Sequence, residues 1–592
     1  MAIKNLQIIH EYLLFLYGEK TGQICFSRLE RMLEKYFHTS EHSTEENAPL
    51  FDVRDVILIT YGDILKTDHK PSLQSLYDFH QQYLADTINI IHILPFFPYS
   101  SDDGFSVVDY KAVDPGIGSW DDITRFSSRG VKLMFDAVIN HISAASAWFQ
   151  GYLAGDEKYK KYFIEVDPGI DLSAVTRPRA LPLFTSVETN RGTKQVWTTF
   201  SADQIDLNYQ NPETLLDVLG VLLFYVEHGA KLIRLDAIAY LWKEPGTSCI
   251  HLPKTHTVVQ LMRAVIDAVA PNVLLITETN VPHEENLSYF GNGSNEAHMV
   301  YQFSLPPLTA HALLTGSAIY LTQWASGLQP RTETTTFMNF TASHDGVGVR
   351  PASGILPKED IDLLAKQTLA HGGKISSKTN ADGSTSPYEL NITYFDLLND
   401  PEADEPMVSQ VKRFLVSQAI SLAMAGIPGI YIHSLLGSRN FRCGVEETGQ
   451  PRTINREKLN LAQVIAELED EHSLRHAVFE GYQHLIQQRV THQAFHPNGE
   501  QRVLDLHDAV FSLLRISPDR EEKILALHNV SQESQTIFFD QAAAGLKGKG
   551  KFVDVLTGKS HDGEGEISFV LAPYQVAWMK WVLVMRNGDR HS

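Results

Sequence analysis

The first fifty residues carry apolar side chains at helical spacing: Leu6, Ile9, Leu13 and Leu16 on one face, then Phe26, Leu29, Leu33 and Tyr36 on another. They predict an N-terminal helical extension over residues 1–50, ending in a polar, proline-terminated linker from His38 to Pro49. From residue 55 the rhythm changes. Apolar strand-like runs appear at Val56–Tyr61, Ile88–Phe96, Val131–Ile139, Lys231–Ile238, Val273–Glu278, Met299–Phe303, Thr335–Phe340 and Gly429–His433. Helical stretches such as Leu215–His228 and Val258–Val269 separate most of them. Strands alternating with helices predict a parallel sheet, and eight of them predict an α/β fold closed as a (β/α)8 TIM barrel over residues 51–490. Two gaps are too long for simple loops. Residues 142–230, after the third strand, and 346–400, after the seventh, predict insertions on the catalytic face. The second has a flexible-looking centre between His371 and Pro387. Beyond residue 490 seven short alternating runs, from Val503–Leu506 to Ala577–Trp581, predict a C-terminal antiparallel β domain over 491–592.

Composition narrows the function classes. At 592 residues, 43% hydrophobic and 20% charged, the chain reads as a soluble globular protein. A net charge of −21 argues against nucleic acid, which needs a basic footprint, and requires that any anionic substrate find a local cationic pocket. Cys25, Cys249 and Cys443 are few, odd in number and far apart, as expected of reduced thiols. The first residues lack the apolar core and cleavage site of a signal peptide, and no run of 18 apolar residues suggests a membrane span. The expectation is a cytoplasmic protein without membrane or nucleic-acid partners.

The chemistry sits where apolar runs stop. Lys231–Leu235 ends in Asp236, with Arg234 two positions earlier and so on the same side of the strand. A carboxylate kept ionised by such an arginine is a good nucleophile. A second run ends in Glu278, and a third, from Thr334, ends in His344 and Asp345. Three acids at strand ends predict an active-site rim. No metal-ligand spacing and no phosphate-cradling glycine loop is present, so neither a metal nor an organic cofactor is expected.

Five motifs then occur in a telling order: Leu94–Tyr110 with Asp102 and Phe105, Asp136-Ala-Val-Ile-Asn-His141, Arg234-Leu-Asp236, Glu278, and His344-Asp345. The set resembles the α-amylase superfamily. Thr176–Pro182, Trp242–Cys249, Phe303–Pro307, Ser343–Gly348 and Ile454–Arg456 are similar to its sucrose-phosphorylase branch, glycoside hydrolase family 13, subfamily 18. The resemblance covers roughly residues 51–585. The N-terminal helices, Thr277–His283 and Ser386–Asn391 look most like the glucosylglycerate phosphorylases of that branch. Thr176 and Glu389 stand where sucrose phosphorylases carry tyrosine and glutamine, which speaks against sucrose.

The resemblance implies Asp236 as nucleophile, Glu278 as acid/base and Asp345 as transition-state stabiliser. It implies substrate contacts from Asp102, His141, Arg234, His344 and Arg452, with Phe105 and Phe200 as pocket walls. Arg177 and Arg179 are the implied phosphate and acceptor ligands, Arg179 foremost, and Glu389 is placed near the acceptor hydroxyls. The implied substrates are an α-glucoside, inorganic phosphate and D-glycerate. The rival readings are sucrose, sucrose 6-phosphate or glucosylglycerol phosphorolysis, and an inert barrel serving a transporter.

Overall fold

The computed structural model describes residues 5–39, 49–167, 169–179, 181–329, 332–379, 384–541, 544–563 and 566–583. Its centre is a barrel of β1 (Ile57–Thr60), β2 (Ile90–Ile93), β3 (Lys132–Ala137), β4 (Ala230–Leu235), β5 (Leu274–Thr277), β6 (Met299–Tyr301), β7 (Thr336–Phe340) and β8 (Ile427–Tyr431). The strands neighbour one another in chain order, all parallel, and β8 closes on β1 with Ile57 opposite Gly429. Every residue of β1, β2, β7 and β8 is buried. Helices cover the outer face and side chains fill the inner one, which is why these strands read as unbroken apolar runs.

The predicted barrel is present, its strands mostly shorter than the apolar runs, and two of the differences bear on the site. β8 stops at Tyr431, and Ile432 and His433 open a short helix, Ile432–Leu435. β7 stops at Phe340, so His344 and Asp345 lie on the loop beyond it. There the Ser343 hydroxyl accepts the Asp345 N–H at 3.2 Å, a local turn that competes with a strand ladder.

Helix α1 spans Leu6–Thr39 but breaks at Gly18, whose φ of 74° only glycine adopts readily. The chain folds back there so tightly that a Cβ on Gly22 would stand 2.7 Å from the Leu13 carbonyl oxygen. Ile9, Leu13, Leu29 and Leu33 are buried, and α1 packs on the barrel helices α2 (Pro212–Glu227) and α3 (Pro253–Val269). Arg28 pairs with Glu213 of α2. The helix runs through His38 and Thr39. Of the predicted linker, residues 40–48 lie outside the described residues.

Between β3 and β4 the chain forms a hairpin, Phe184–Thr189 with Gly192–Trp197, and pairs His141–Ser143 with Gln204–Asp206, before α2 returns it to the barrel wall. After β7 a three-stranded sheet forms from Val347–Gly348, Thr385–Asn391 and Lys374–Thr379. Residues 380–383, in the centre expected to be flexible, lie outside the described residues.

The C-terminal strands form a six-stranded antiparallel sheet and a separate two-stranded pair around Leu514, Leu525, Phe552, Phe569 and Trp581. The pattern misses one edge strand, Ser560–Asp562, because all three of its residues are exposed. Two fully buried arginines bind this domain to the barrel: Arg489, on the last barrel helix, donates across to the Phe495 carbonyl at 3.3 Å, and Arg515, in the β domain, donates back to that of Ala423. Arg489 also donates to the carbonyls of Leu422 and Gly426, and Arg515 to that of His496. Among the described residues no helix is long and apolar enough to cross a membrane.

Candidate active site

One buried guanidinium organises the strand ends. Arg234, near the end of β4, donates to Asp236 at 2.7 Å, to Asp136 of β3 and to the Tyr301 hydroxyl of β6 at 3.1 Å. Its other terminal nitrogen is 3.9 Å from Glu278, the residue after β5. Two acids from neighbouring strands thus face one cation. Below them His92 of β2 meets Asp136 at 2.6 Å, with both side chains fully enclosed. Burial raises the Asp136 carboxyl, but Arg234 and His92 outweigh it and hold the group below the ordinary range.

Ala237, the next residue, has φ 47° and ψ 33°. A side chain is disfavoured in that left-handed region by roughly 1–2 kcal/mol. The turn aims the Ala237 N–H at Glu278, which accepts it at 3.1 Å. Asp102, Asp103, Cys249 and His251 also carry positive φ. Such strain clusters where surrounding contacts over-determine a site.

Above the acids lies a cavity of about 80 Å3. Asp102, Phe105, His141, Phe200, Asp236, Glu278, His344, Asp345, Arg179 and Arg452 all line it, as the sequence led us to expect. His344 stacks on Phe105 with centroids 4.8 Å apart and planes within 2°. His141 bonds the Phe105 carbonyl at 2.9 Å and leans on Phe200. Arg452 reaches Asp345 at 2.6 Å, and Arg179 approaches Asp102 at 3.6 Å while lying over the Phe200 ring.

Three expected residues stand elsewhere. Arg234 is 2% exposed and sits beneath the cavity, holding Asp236 rather than facing a sugar. Glu389 is 2% exposed, and its carboxylate takes Arg452 in a two-pronged contact of 2.8 and 3.1 Å. A carboxylate at that depth needs such a partner, so it backs the cavity wall and does not line it. Arg177 is exposed and also outside the lining.

Other residues went unread in the sequence. Lys243 is buried against Asp206 at 2.5 Å and donates to Asn140, which in turn touches His141. Arg456 meets Asp103 at 2.8 Å and Asp345 at 3.5 Å. Both belong to motifs noted above; for Lys243 the signal was a basic residue closing the apolar run Ile238–Trp242, while Arg456 sits among polar neighbours that give none. Gln204, Tyr240, Asn280 and Tyr388 also line the cavity; Asn280 and Tyr388 fall within Thr277–His283 and Ser386–Asn391 noted above, whereas Gln204 and Tyr240 belong to none of those motifs.

The electrostatics divide the acids. Burial pushes Glu278 up to about 7, Arg234 pulling against it and the charges of Asp236 and Asp345 adding to it. Burial also raises Asp236, and Arg234 and His141 offset part of that rise without cancelling it. Asp345 is buried too, yet Arg452, His344 and Arg456 together hold its carboxyl well below the usual range. Burial takes His344 down to about 3 and lowers His141, so both rings are neutral at pH 7. One acid that keeps a proton near neutrality, beside one that stays ionised, is the arrangement for acid/base work at a glycosidic oxygen.

Parallel strands with carboxylates gathered at their C-terminal ends define a glycoside-processing (β/α)8 barrel of the α-amylase type, and residues 79–346 match the alpha amylase catalytic-domain family. Relatives along nearly the whole chain narrow this further. A glucosylglycerate phosphorylase of Spirochaeta thermophila is 48% identical over 580 residues, covering 96% of this chain and 98% of that protein. One from Escherichia coli is 42% identical over 577 residues, covering 97% and 100%. The chain belongs to the glucosylglycerate phosphorylase family. The crystal structure of a sucrose 6F-phosphate phosphorylase from Thermoanaerobacter thermosaccharolyticum shares the fold, with a TM-score of 0.71, 24% identity and coverage of 88% of this chain and 98% of that one.

Proposed function

We propose that the protein catalyses reversible phosphorolysis of 2-O-α-D-glucosyl-D-glycerate to α-D-glucose 1-phosphate and D-glycerate, with retention of configuration. The reading is supported by the 42–48% identity to glucosylglycerate phosphorylases across nearly the full chain. The carrying observation is the Asp236–Arg234–Glu278 arrangement, in which one guanidinium faces two strand-end acids and Glu278 keeps its proton near neutrality.

In the first half-reaction an Asp236 oxygen attacks the anomeric carbon, and the bond from that carbon to the glycerate oxygen breaks. Arg234 engages Oδ1, so attack falls to Oδ2. Glu278, protonated, donates its proton to the departing oxygen. Asp345, kept anionic by Arg452 and Arg456, stabilises the positive charge that develops on the sugar ring. In the second half-reaction a phosphate oxygen attacks the same carbon, the ester to Asp236 breaks, and Glu278 recovers a proton from phosphate. Arg179 on the cavity wall is the guanidinium that holds phosphate. Three unpaired cysteines fit a cytoplasmic setting.

The test is phosphate release from α-glucose 1-phosphate with an acceptor panel. D-Glycerate should outpace fructose, fructose 6-phosphate and glycerol at equal concentration. A faster reaction with fructose 6-phosphate or glycerol removes the glucosylglycerate assignment. Absence of acceptor-dependent phosphate release across the panel removes the phosphorylase reading as well.

A further inference from the structure

A glycerate acceptor brings a carboxylate into a pocket walled by acids, and burying it unpaired would cost several kcal/mol. Arg234 and Arg452 are engaged by Asp136, Asp236, Asp345 and Glu389, Arg179 leans on Asp102, and Arg177 is exposed outside the lining. The leaving oxygen must lie beside Glu278, so the acceptor's cation belongs on that side of the cavity. Tyr240 and Tyr388 line the cavity there, both within electrostatic reach of Glu278.

Arg350 stands directly behind this pair. It opens the short helical turn Arg350–Ala352 that follows Val347–Gly348 in the inserted sheet. Its backbone is fixed from two sides: the Val349 N–H donates to the Tyr388 carbonyl at 3.1 Å, and the Ser304 hydroxyl donates to the Pro351 carbonyl at 2.9 Å. Its guanidinium is 18% exposed, lies 3.8 Å from Glu285 and is close enough to Tyr240 to oppose the rise that burial gives the phenol. Glu285 is shared with His251 at 3.1 Å. Lys378, on the neighbouring inserted strand, feels Arg350 as a like charge, which adds to burial in lowering its ammonium pKa. Neither side chain lines the cavity; they stand behind its wall, Arg350 next to Tyr240 and Lys378 on the strand that pairs with the one carrying Tyr388, and two cations brought together there, with one half-exposed carboxylate shared between Arg350 and His251, are what an arriving anion would relieve.

We propose that Arg350, with Lys378 behind it, receives the acceptor's carboxylate and sets the preference for an acidic over a neutral acceptor. This rests on the glucosylglycerate reading and gives it a residue. Arg350 takes no part in the glucosyl half-reaction.

The experiment is synthesis from α-glucose 1-phosphate with D-glycerate or with glycerol, which has the same three carbons and no carboxylate. Alongside it, arsenolysis of α-glucose 1-phosphate reads glucosyl transfer without an acceptor. Arg350→Gln should raise the KM for D-glycerate by roughly 10- to 100-fold, the scale of lost charge-assisted hydrogen bonds. The kcat/KM for glycerol and the arsenolysis rate should stay within about twofold of wild type. Arg350→Lys should recover part of the glycerate preference, and Lys378→Met should lose it by a smaller factor. An Arg350→Gln enzyme with wild-type preference for glycerate over glycerol overturns the inference and leaves the glucosylglycerate reading standing. Equal losses in synthesis and arsenolysis, in both the Gln and Lys variants, also overturn it, since Arg350 would then support the fold or the shared anion position. Wild-type enzyme that ignores D-glycerate overturns the reading and the inference together.

Discussion

Replacing Glu278 by glutamine should stabilise the ligand-free protein, and only above mildly acidic pH. Burial lifts the Glu278 carboxyl from an ordinary 4.5 to about 7, with Arg234 opposing and Asp236 and Asp345 adding. Between those values the unfolded chain has released a proton that the folded protein keeps. The stability linked to this group is therefore complete below pH 4.5, falls as pH rises through the window, and is lost above about 7. At 1.36 kcal/mol per unit, the loss is about 3 kcal/mol by pH 8. Glutamine has no proton to lose, so the variant escapes it. Thermal unfolding of both proteins from pH 5 to 8.5 should show a gap in Tm that widens with pH and levels off above 7.5. A pH-independent gap, or a wild type that gains on the variant as pH rises, would refute the reasoning. Catalysis supplies the companion measurement. In wild type, kcat/KM for the glucoside reports the first half-reaction and should decline above pH 7 as Glu278 loses its proton. With α-glucosyl fluoride, whose leaving group needs little protonation, that decline should flatten, and the Gln variant should retain far more activity than with the natural donor.

Asp236→Asn should remove turnover, because an amide cannot form the ester intermediate; residual activity above a few per cent of wild type, in enzyme free of deamidated protein, would clear Asp236 of the role. Arg179→Ala should raise the phosphate KM and increase hydrolysis relative to phosphorolysis, since water then competes for the glucosyl enzyme; unchanged phosphate saturation would count against it. Glu389→Ala leaves Arg452 with one fewer carboxylate in a buried setting and should cost about 2–4 kcal/mol in stability, with every acceptor weakened alike. A selective loss of one acceptor in that variant, at unchanged Tm, would put Glu389 in direct contact with substrate.

The barrel was legible because a parallel strand buried on both faces must be apolar throughout, and the chemistry was legible because each apolar run stops where the strand meets the cavity. Asp236 and Glu278 follow β4 and β5 by a single residue. Asp345 was harder: it sits five residues past the end of β7, and its turn is made by a serine hydroxyl. The partners were not legible at all. Asp136 and His92 lie within strands 44 residues apart, and nothing local says that they face one another. Glu389, on the inserted strand Thr385–Asn391, and Arg452, in the helical turn Pro451–Asn455, meet across 63 residues. A charged residue in a sequence advertises its need for a partner but not the partner's position, so Glu389 was placed against the acceptor when the fold gives it to Arg452. Ala237 is the opposite case. Alanine is a poor choice for a left-handed turn, so no rule of local propensity would locate one there, yet tertiary contacts impose it to bring an N–H to Glu278.

A chain of net charge −21 that takes in anions has to solve the problem at short range. At physiological ionic strength, charges more than about 8 Å away are largely screened, so the surface excess of acid matters less than the groups in the pocket wall. Each cation there answers one or two carboxylates. Arg234 answers Asp136 and Asp236, Arg452 answers Asp345 and Glu389, and Arg456 answers Asp103. Glu278 completes the arrangement by keeping its proton near neutrality, which spares the pocket one negative charge while the substrate anion is inside. Raising the proton affinity of the catalytic acid therefore serves two ends. It supplies the proton for the leaving oxygen, and it lowers the electrostatic cost of admitting an anionic donor, glucosylglycerate or glucose 1-phosphate, beside three other carboxylates. Once the bond to the acceptor has broken, Glu278 is an anion facing another anion. That repulsion favours departure of glycerate and makes room for phosphate, whose proton restores the neutral acid.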